Sequence, residues 1–305
     1  DGVIITSDTK QVLHKTKTLT TRRDLRICIK NCISAFSAEA LEGVSLVCLS
    51  TTLATNAIVE GRGCKEGLIL IGGRPEGKLP TDLYRVIQGR LDIQGRLKEN
   101  LDYAELDEVI EYFRGKVDAL AVSGYASVRN PIHEIQVKER IQQKLGIPVA
   151  CAHELTTSLG FYDRTITVDL NARLIPLICT LIDSVTETLE AFHIKAPLMV
   201  VKGDGTLMTE ECARESPIET ILSGPAASVI GGKFLSEKED AIILDMGGTT
   251  TDIANISSGS LPISNEGAKV GSPGSVPLRF IPLVWVATAG FISTANGTSA
   301  SVRAR

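Results

Sequence analysis

The sequence has no excess charge of one sign, no CxxC pair and no histidine motif, and each absence removes a class of function. Lys and Arg number 32 against 36 Asp and Glu, a net charge of -4, and the basic residues are scattered. No electrostatic footprint for nucleic acid or an anionic membrane surface results, and a small or acidic partner fits better. The 7 cysteines (Cys28, Cys32, Cys48, Cys64, Cys151, Cys179, Cys212) are odd in number, widely spread and without a CxxC pair. That excludes a disulfide scaffold and points to a reducing, cytoplasmic compartment. Cys28 and Cys32 share a face of an expected helix, but no histidine or second cysteine pair stands near to complete a metal site. The 4 histidines (His14, His133, His153, His193) show neither HxxxH nor HxH spacing. No apolar run approaches the roughly 18–20 residues of a spanning helix, no signal peptide opens the chain, and no solenoid repeat is visible.

What is present is a chain of 305 residues with 43% hydrophobic residues and a mean hydropathy of +0.13. It can bury a sizeable core and is expected to form two domains. The opening Asp1-Gly2-Val3-Ile4-Ile5-Thr6 reads as the middle of a strand, so residues are expected to precede it. Residues 2–20 alternate apolar and polar around a Ser7-Asp8-Thr9-Lys10 turn, a hairpin signal. Helical periodicity follows over 24–36. Apolar runs at 45–50, 67–71, 119–122 and 148–152 then alternate with helices at about 104–115 and 131–145, which predicts a mostly parallel sheet with covering helices. Residues 72–100, with Gly72-Gly73-Arg74-Pro75 and Lys78-Leu79-Pro80, are expected to leave that sheet. A long helical segment over 158–192, interrupted near Pro176, is expected to bridge two lobes. A second β-rich unit starts at 197–202 and carries helices at about 209–215 and 225–235 and strands at 241–244 and 252–256.

Chemistry concentrates in Ile242-Ile243-Leu244-Asp245-Met246-Gly247-Gly248-Thr249-Thr250-Thr251-Asp252. An apolar strand runs into a carboxylate, two glycines, three hydroxyls and a second carboxylate. Glycines let backbone approach a phosphate, and successive turn N–H groups make an anion-binding nest. Thr249, Thr250 and Thr251 offer hydroxyl donors, while Asp245 and Asp252 suit a Mg²⁺ shell. An ordinary hairpin turn would also use Gly247-Gly248, but it has no need of flanking carboxylates and a hydroxyl cluster. Thr51, Thr52, Thr55 and Asn56 stand where a strand gives way to a helix, a place equally suited to an anionic or amide ligand and to helix capping. Gly203-Asp204-Gly205-Thr206 is a loop between strand and helix, and Ser223-Gly224-Pro225-Ala226-Ala227 allows close approach of a nucleotide or of a packed neighbour. His133-Glu134 reads as a helix start with a capping role, Asp163 with Arg164 as a solvated ion pair, and His153, at the sheet's carboxyl edge, as the histidine best placed for substrate.

The Asp-x-Gly-Gly-Thr-x-x-Asp pattern at 245–252 resembles the second phosphate loop of the actin-like ATPase superfamily. Five further segments, 50–58, 129–134, 162–172, 202–208 and 221–227, resemble the hydantoinase A and 5-oxoprolinase family in the family's order, over about residues 1–280. The resemblance implies an α/β fold of two actin-like, ribonuclease H-like lobes, each a mixed sheet with a β-hairpin start and flanking helices, over 1–157 and 158–305. It also implies ATP and Mg²⁺ as cofactors, a small cyclic amide or ketone as substrate, and a second enzyme subunit or further copies as partners. The implied reaction is ATP-dependent opening of a hydantoin- or 5-oxoproline-type ring through a phosphorylated intermediate. Asp245 and Asp252 would be catalytic and metal-binding, Gly247, Gly248, Thr249–Thr251 and Gly224 would hold the nucleotide, and Thr51, Thr52, Thr55, Asn56 and His153 the substrate. Ketone carboxylation, a non-catalytic ATP-driven clamp and a small-molecule kinase are the alternatives. Two features depart from the family pattern: its first phosphate loop would end at Asp1, and the stretch from Ile281 to Arg305 does not follow it.

Overall fold

The computed structural model describes residues 1–21, 24–246 and 250–260, together with strand segments at 263–264, 268–269, 277–278, 283–284, 287–294 and 297–301. The expected hairpin is present: β1 (Gly2–Ile5) pairs antiparallel with β2 (Val12–Thr16). Helix α1 (Leu25–Ile33) starts where the Asp24 carboxylate accepts the Arg26 N–H. Strand β3 (Val47–Leu49) then leads into α2 (Leu53–Val59).

A four-stranded, all-parallel sheet follows, built of β4 (Glu66–Ile71), β5 (Tyr84–Ile87), β6 (Ala119–Gly124) and β7 (Val149–Cys151) in the order β5-β4-β6-β7. Every residue of β4 and β6 is buried, because both sheet faces are covered. Ile69, Ile71, Leu120 and Val122 pack on α3 (Tyr103–Phe113) and α4 (Ile132–Leu145). Leu68, Leu70, Ala119 and Ala121 pack instead on Val168, Ala172 and Ile175. The period-two alternation of the strands thus sorts their side chains between two layers, and each fully buried Leu or Ile contributes roughly 1.5–3 kcal/mol. Strand β5 corrects one expectation. Residues 72–100 do not simply leave the sheet, since Tyr84–Ile87 returns as its edge strand.

After the short helix α5 (Ala152–Leu155) comes α6 (Phe161–Ala191), 31 residues long and continuous through Pro176. Proline removes the N–H that the Ala172 carbonyl would accept. That carbonyl instead accepts the Cys64 thiol at 3.5 Å, and the Cys64 N–H is donated to the Arg173 carbonyl at 3.1 Å. The loop can come this close because position 63 is glycine: a Cβ there would collide with Arg173 Cγ, and its φ is +149°. The helix is long and apolar enough to cross a membrane by composition, yet 72% of its most apolar window is buried, so it serves as the central core helix.

Strand β8 (Leu198–Val201) pairs parallel with β3 and antiparallel with β9 (Leu207–Thr209), so backbone hydrogen bonds join residues on both sides of position 157. Helix α7 (Glu210–Glu215) and a single 3-10 turn (Pro217–Thr220) lead to α8 (Ser223–Ser236). Strands β10 (Ala241–Met246) and β11 (Thr250–Ile256) form an antiparallel pair extended by β12 (Ala287–Thr294) and β13 (Gly297–Ser301).

Candidate functional site

The β10–β11 hairpin holds Asp245 directly opposite Asp252 in register. Cross-strand partners project from the same face, so two carboxylates stand side by side. Alternation along β10 puts Ile243 and Asp245 on one face and leaves Ile242, Leu244 and Met246 exposed on the other. Ile243 packs with Ala226, Val229 and Ala254, and a Cβ on Gly232 would press on its side chain. Strand β10 therefore runs along α8 from Gly232 toward the helix's amino end, and carries Asp245 in that direction. Gly247, Gly248 and Thr249 lie outside the described residues, as do the side chains of Thr250 and Thr251.

At the amino end of α8 two of the motifs meet. The Ser223 hydroxyl donates to the Thr51 carbonyl at 2.9 Å and accepts the Thr51 N–H at 3.4 Å. The Leu222 N–H is donated to Thr55 Oγ1 at 2.9 Å. Leu222 sits at φ +60°, a left-handed conformation costly for a branched side chain, and the Thr55 bond helps hold it there. A Cβ at Gly224 would come within 3.2 Å of Thr52 Cγ2, so the missing side chain permits the approach. Thr51 Oγ1 accepts the Leu53 N–H at 3.0 Å, which is capping chemistry, whereas Thr52 makes no side-chain cap. Thr52 and Asn56 are exposed and joined by a 3.3 Å hydrogen bond. Thr51, Thr52 and Asn56 line a cleft of about 1250 Å³ that Asp1, Arg62 and Thr180 also border. The neighbouring 203–206 loop is a tight turn, with the Asp204 carboxylate accepting the Thr206 N–H and hydroxyl.

His153 belongs to the other sheet. Its ring Nδ1 lies 2.6 Å from Glu134 Oε2, and the same oxygen accepts its backbone N–H at 2.9 Å. Glu134 Oε1 accepts the Gly124 N–H at 2.7 Å. Neither His133 nor Glu134 caps α4, whose first flanking residue is Pro131. Both are buried, and the Glu134 carboxylate spans from α4 to the ends of β6 and α5. Arg164 is not a solvated residue either: it is fully enclosed and donates to the Gly124 and Ser158 carbonyls at 2.9 Å each. Burial pulls its guanidinium below the usual range, against the pull of Glu134. Sequence reasoning missed Glu134 because a Glu in the first turn of a helix is the ordinary complement of the helix dipole.

Residues 1–145 match the hydantoinase/oxoprolinase N-terminal region, and residues 164–304 match hydantoinase/oxoprolinase. The chain belongs to the hydantoinase/oxoprolinase family. This family match runs to residue 304, beyond the point near 280 where the sequence departs from the expected pattern. The chain is 29% identical over 293 residues to caprolactamase subunit alpha of Pseudomonas jessenii, covering 86% of this chain and 41% of that subunit. It is 24% identical over 287 residues to the acetophenone carboxylase gamma subunit of Aromatoleum aromaticum, covering 79% and 39%. The solved structure of the ATP-dependent caprolactamase from Pseudomonas jessenii superposes with a TM-score of 0.77 at 26% identity, over 96% of this chain and 47% of that one. The chain thus spans less than half the length of these relatives. As a member of the hydantoinase/oxoprolinase family it has an α/β fold with mixed sheets, in keeping with the actin-like plan.

Proposed function

We propose that this member of the hydantoinase/oxoprolinase family is part of an ATP-dependent hydrolase that opens a small cyclic amide. The observation that carries the reading is the cross-strand pairing of Asp245 with Asp252. Like charges directly opposite one another are mutually destabilising, and a bound cation would relieve that repulsion. A pair of carboxylates on one face, next in sequence to Gly247 and Gly248, fits Mg²⁺ escorting a triphosphate. In this reading Asp245 and Asp252 hold the ion, Gly247, Gly248, Thr249, Thr250, Thr251 and Gly224 receive the nucleotide, and Thr51, Thr52, Thr55 and Asn56 face the substrate. The ion, when bound, neutralises charge on the phosphate oxygens.

The need for ATP follows from the substrate. An amide carbon is a weak electrophile, and transfer of the terminal phosphoryl group to its oxygen, with ADP leaving, turns that oxygen into a leaving group. Water then adds to the carbon, the ring nitrogen takes up a proton and leaves so that the ring opens, and a second water hydrolyses the resulting acyl phosphate to carboxylate and phosphate. The Ser223–Thr51 and Leu222–Thr55 bonds couple the substrate-facing loop to α8, the helix along which β10 brings Asp245. The two lobes proposed, 1–157 and 158–305, would act with a partner subunit, as the subunit names of the relatives suggest.

A second reading, as a subunit of an ATP-dependent ketone carboxylase, is favoured by the likeness to the acetophenone carboxylase subunit. Both are tested by ATP hydrolysis in the full-length protein with its partner subunit. Stimulation by lactams or hydantoins supports the amide reading, and stimulation by ketones with bicarbonate supports the carboxylase. Hydrolysis that responds to neither class overturns both.

A further inference from the structure

The carboxyl edge of the parallel sheet carries a polar cluster that the phosphate chemistry does not use. The Gly124 peptide at the end of β6 is its hub, donating to Glu134 and accepting from Arg164. Ser127 Oγ and Arg164 Nε beside it, and Nε2 of the His133 ring that lies against Gly89, are buried without hydrogen-bond partners among the described residues. Burial pushes the His133 imidazole toward its neutral form. Ala126, two residues past the hub, is held at φ +58°. Strain and unsatisfied polar atoms of this kind concentrate where a protein holds a group for use, and the carboxyl ends of parallel strands are where open α/β sheets bind ligands.

His153 is the part-exposed member of the cluster. Its Nδ1 lies 2.6 Å from a fully enclosed carboxylate that accepts two backbone N–H groups. An acceptor at Nδ1 favours the tautomer with its N–H there and the lone pair on Nε2. The His153 side chain is 17% exposed, so the ring is part-accessible while Glu134 is enclosed.

We propose that Glu134 and His153 form a proton-accepting dyad, a second ligand site apart from the hairpin, with Glu134 as positioning residue and His153 Nε2 accepting an N–H or O–H from a small uncharged ligand. When Nε2 takes the proton, the electron pair of the broken bond stays on the ligand atom, and Glu134 balances the imidazolium. The same cluster offers Glu134, Cys151 and His153 ligand atoms within 4.8 Å of one another. A cation is the poorer occupant, because both carboxylate oxygens are engaged and the Cys151 thiol, its ionisation opposed by burial and by Glu134 and Glu154, donates to the Glu134 carbonyl at 3.5 Å.

Succinimide, which has one ring N–H, and N-methylsuccinimide, which has none, are the probes. Their binding to the full-length protein is measured by calorimetry without nucleotide, and the His153 and Glu134 variants separate this site from the substrate face at Thr51–Asn56. The wild-type protein is expected to prefer succinimide by about tenfold, the scale of one hydrogen bond. His153→Gln, a substitution at a part-exposed position, should abolish the preference. Glu134→Gln should reduce it, because an amide can donate to Nδ1 and move the proton to Nε2, an effect that a merely structural role would not produce. Equal affinity for the two probes, no binding of either, or equimolar uptake of Zn²⁺ that Cys151→Ser removes would each overturn the proposal.

Discussion

Glu134 and Asp169 are both fully enclosed carboxylates, and the protein treats them in opposite ways. Glu134 accepts N–H groups from Gly124 and His153 and has Arg164 nearby. Asp169, on α6, has no hydrogen bond to either oxygen among the described residues. Its nearest cation, Arg173, is 3.8 Å away and is already committed to Glu66 at 2.6 Å. Burial, helped by the Glu66 charge and opposed by Arg173, pushes Asp169 up to about 8. Glu134 has donors at both oxygens and Asp169 has none among the described residues, and at Asp169 burial without donors favours the neutral acid. The Glu134 side chain has a task, holding His153, whereas charge at Asp169 is only a cost.

The largest expected effect lies on the first side of that comparison. Glu134→Ala strips acceptors from Gly124 and His153 and leaves Arg164 without its counter-charge, so it should destabilise the fold by roughly 3–5 kcal/mol in denaturant titrations. Asp169→Asn should cost far less, and a loss equal to that of Glu134→Ala would break the comparison. The pH dependence sharpens it. The Asp169 pKa is raised in the folded state above its ordinary 3.8, so the folded chain holds a proton that the unfolded chain has released. That stabilising contribution is complete below about pH 4 and is lost as pH rises toward about 8. Unfolding midpoints measured across this window should therefore decline with pH in the wild-type protein, and Asp169→Asn should flatten the decline.

Much of the fold is legible in residue pattern because it rests on local rules. The hairpin, the buried runs that became β4 and β6, and the strands around Asp245 follow from alternation and apolar length. The continuity of α6 was not legible, since the Pro176 break is offset by Cys64, a residue 108 positions from the carbonyl it serves. Tyr84–Ile87 was obscured by the glycines and prolines before it. Among the candidate site residues, Thr51, Thr55 and Gly224 are drawn together by Ser223 and Leu222, and Asp245 meets Asp252, while His153 keeps to another sheet. The part played by Glu134 has no sequence signal beyond its place in a first helical turn, because its partners come from two other elements.

The central claim, that the paired carboxylates of the β10–β11 hairpin hold the cation of a bound nucleotide, is tested most directly by titrating ATP into the full-length protein with and without Mg²⁺. Asp245 is exposed, so Asp245→Asn should leave folding intact while weakening Mg²⁺-dependent ATP binding by about tenfold or more, the scale of one charge-assisted contact. Unchanged Mg²⁺-dependent affinity and unchanged ATP turnover in that variant would contradict the account.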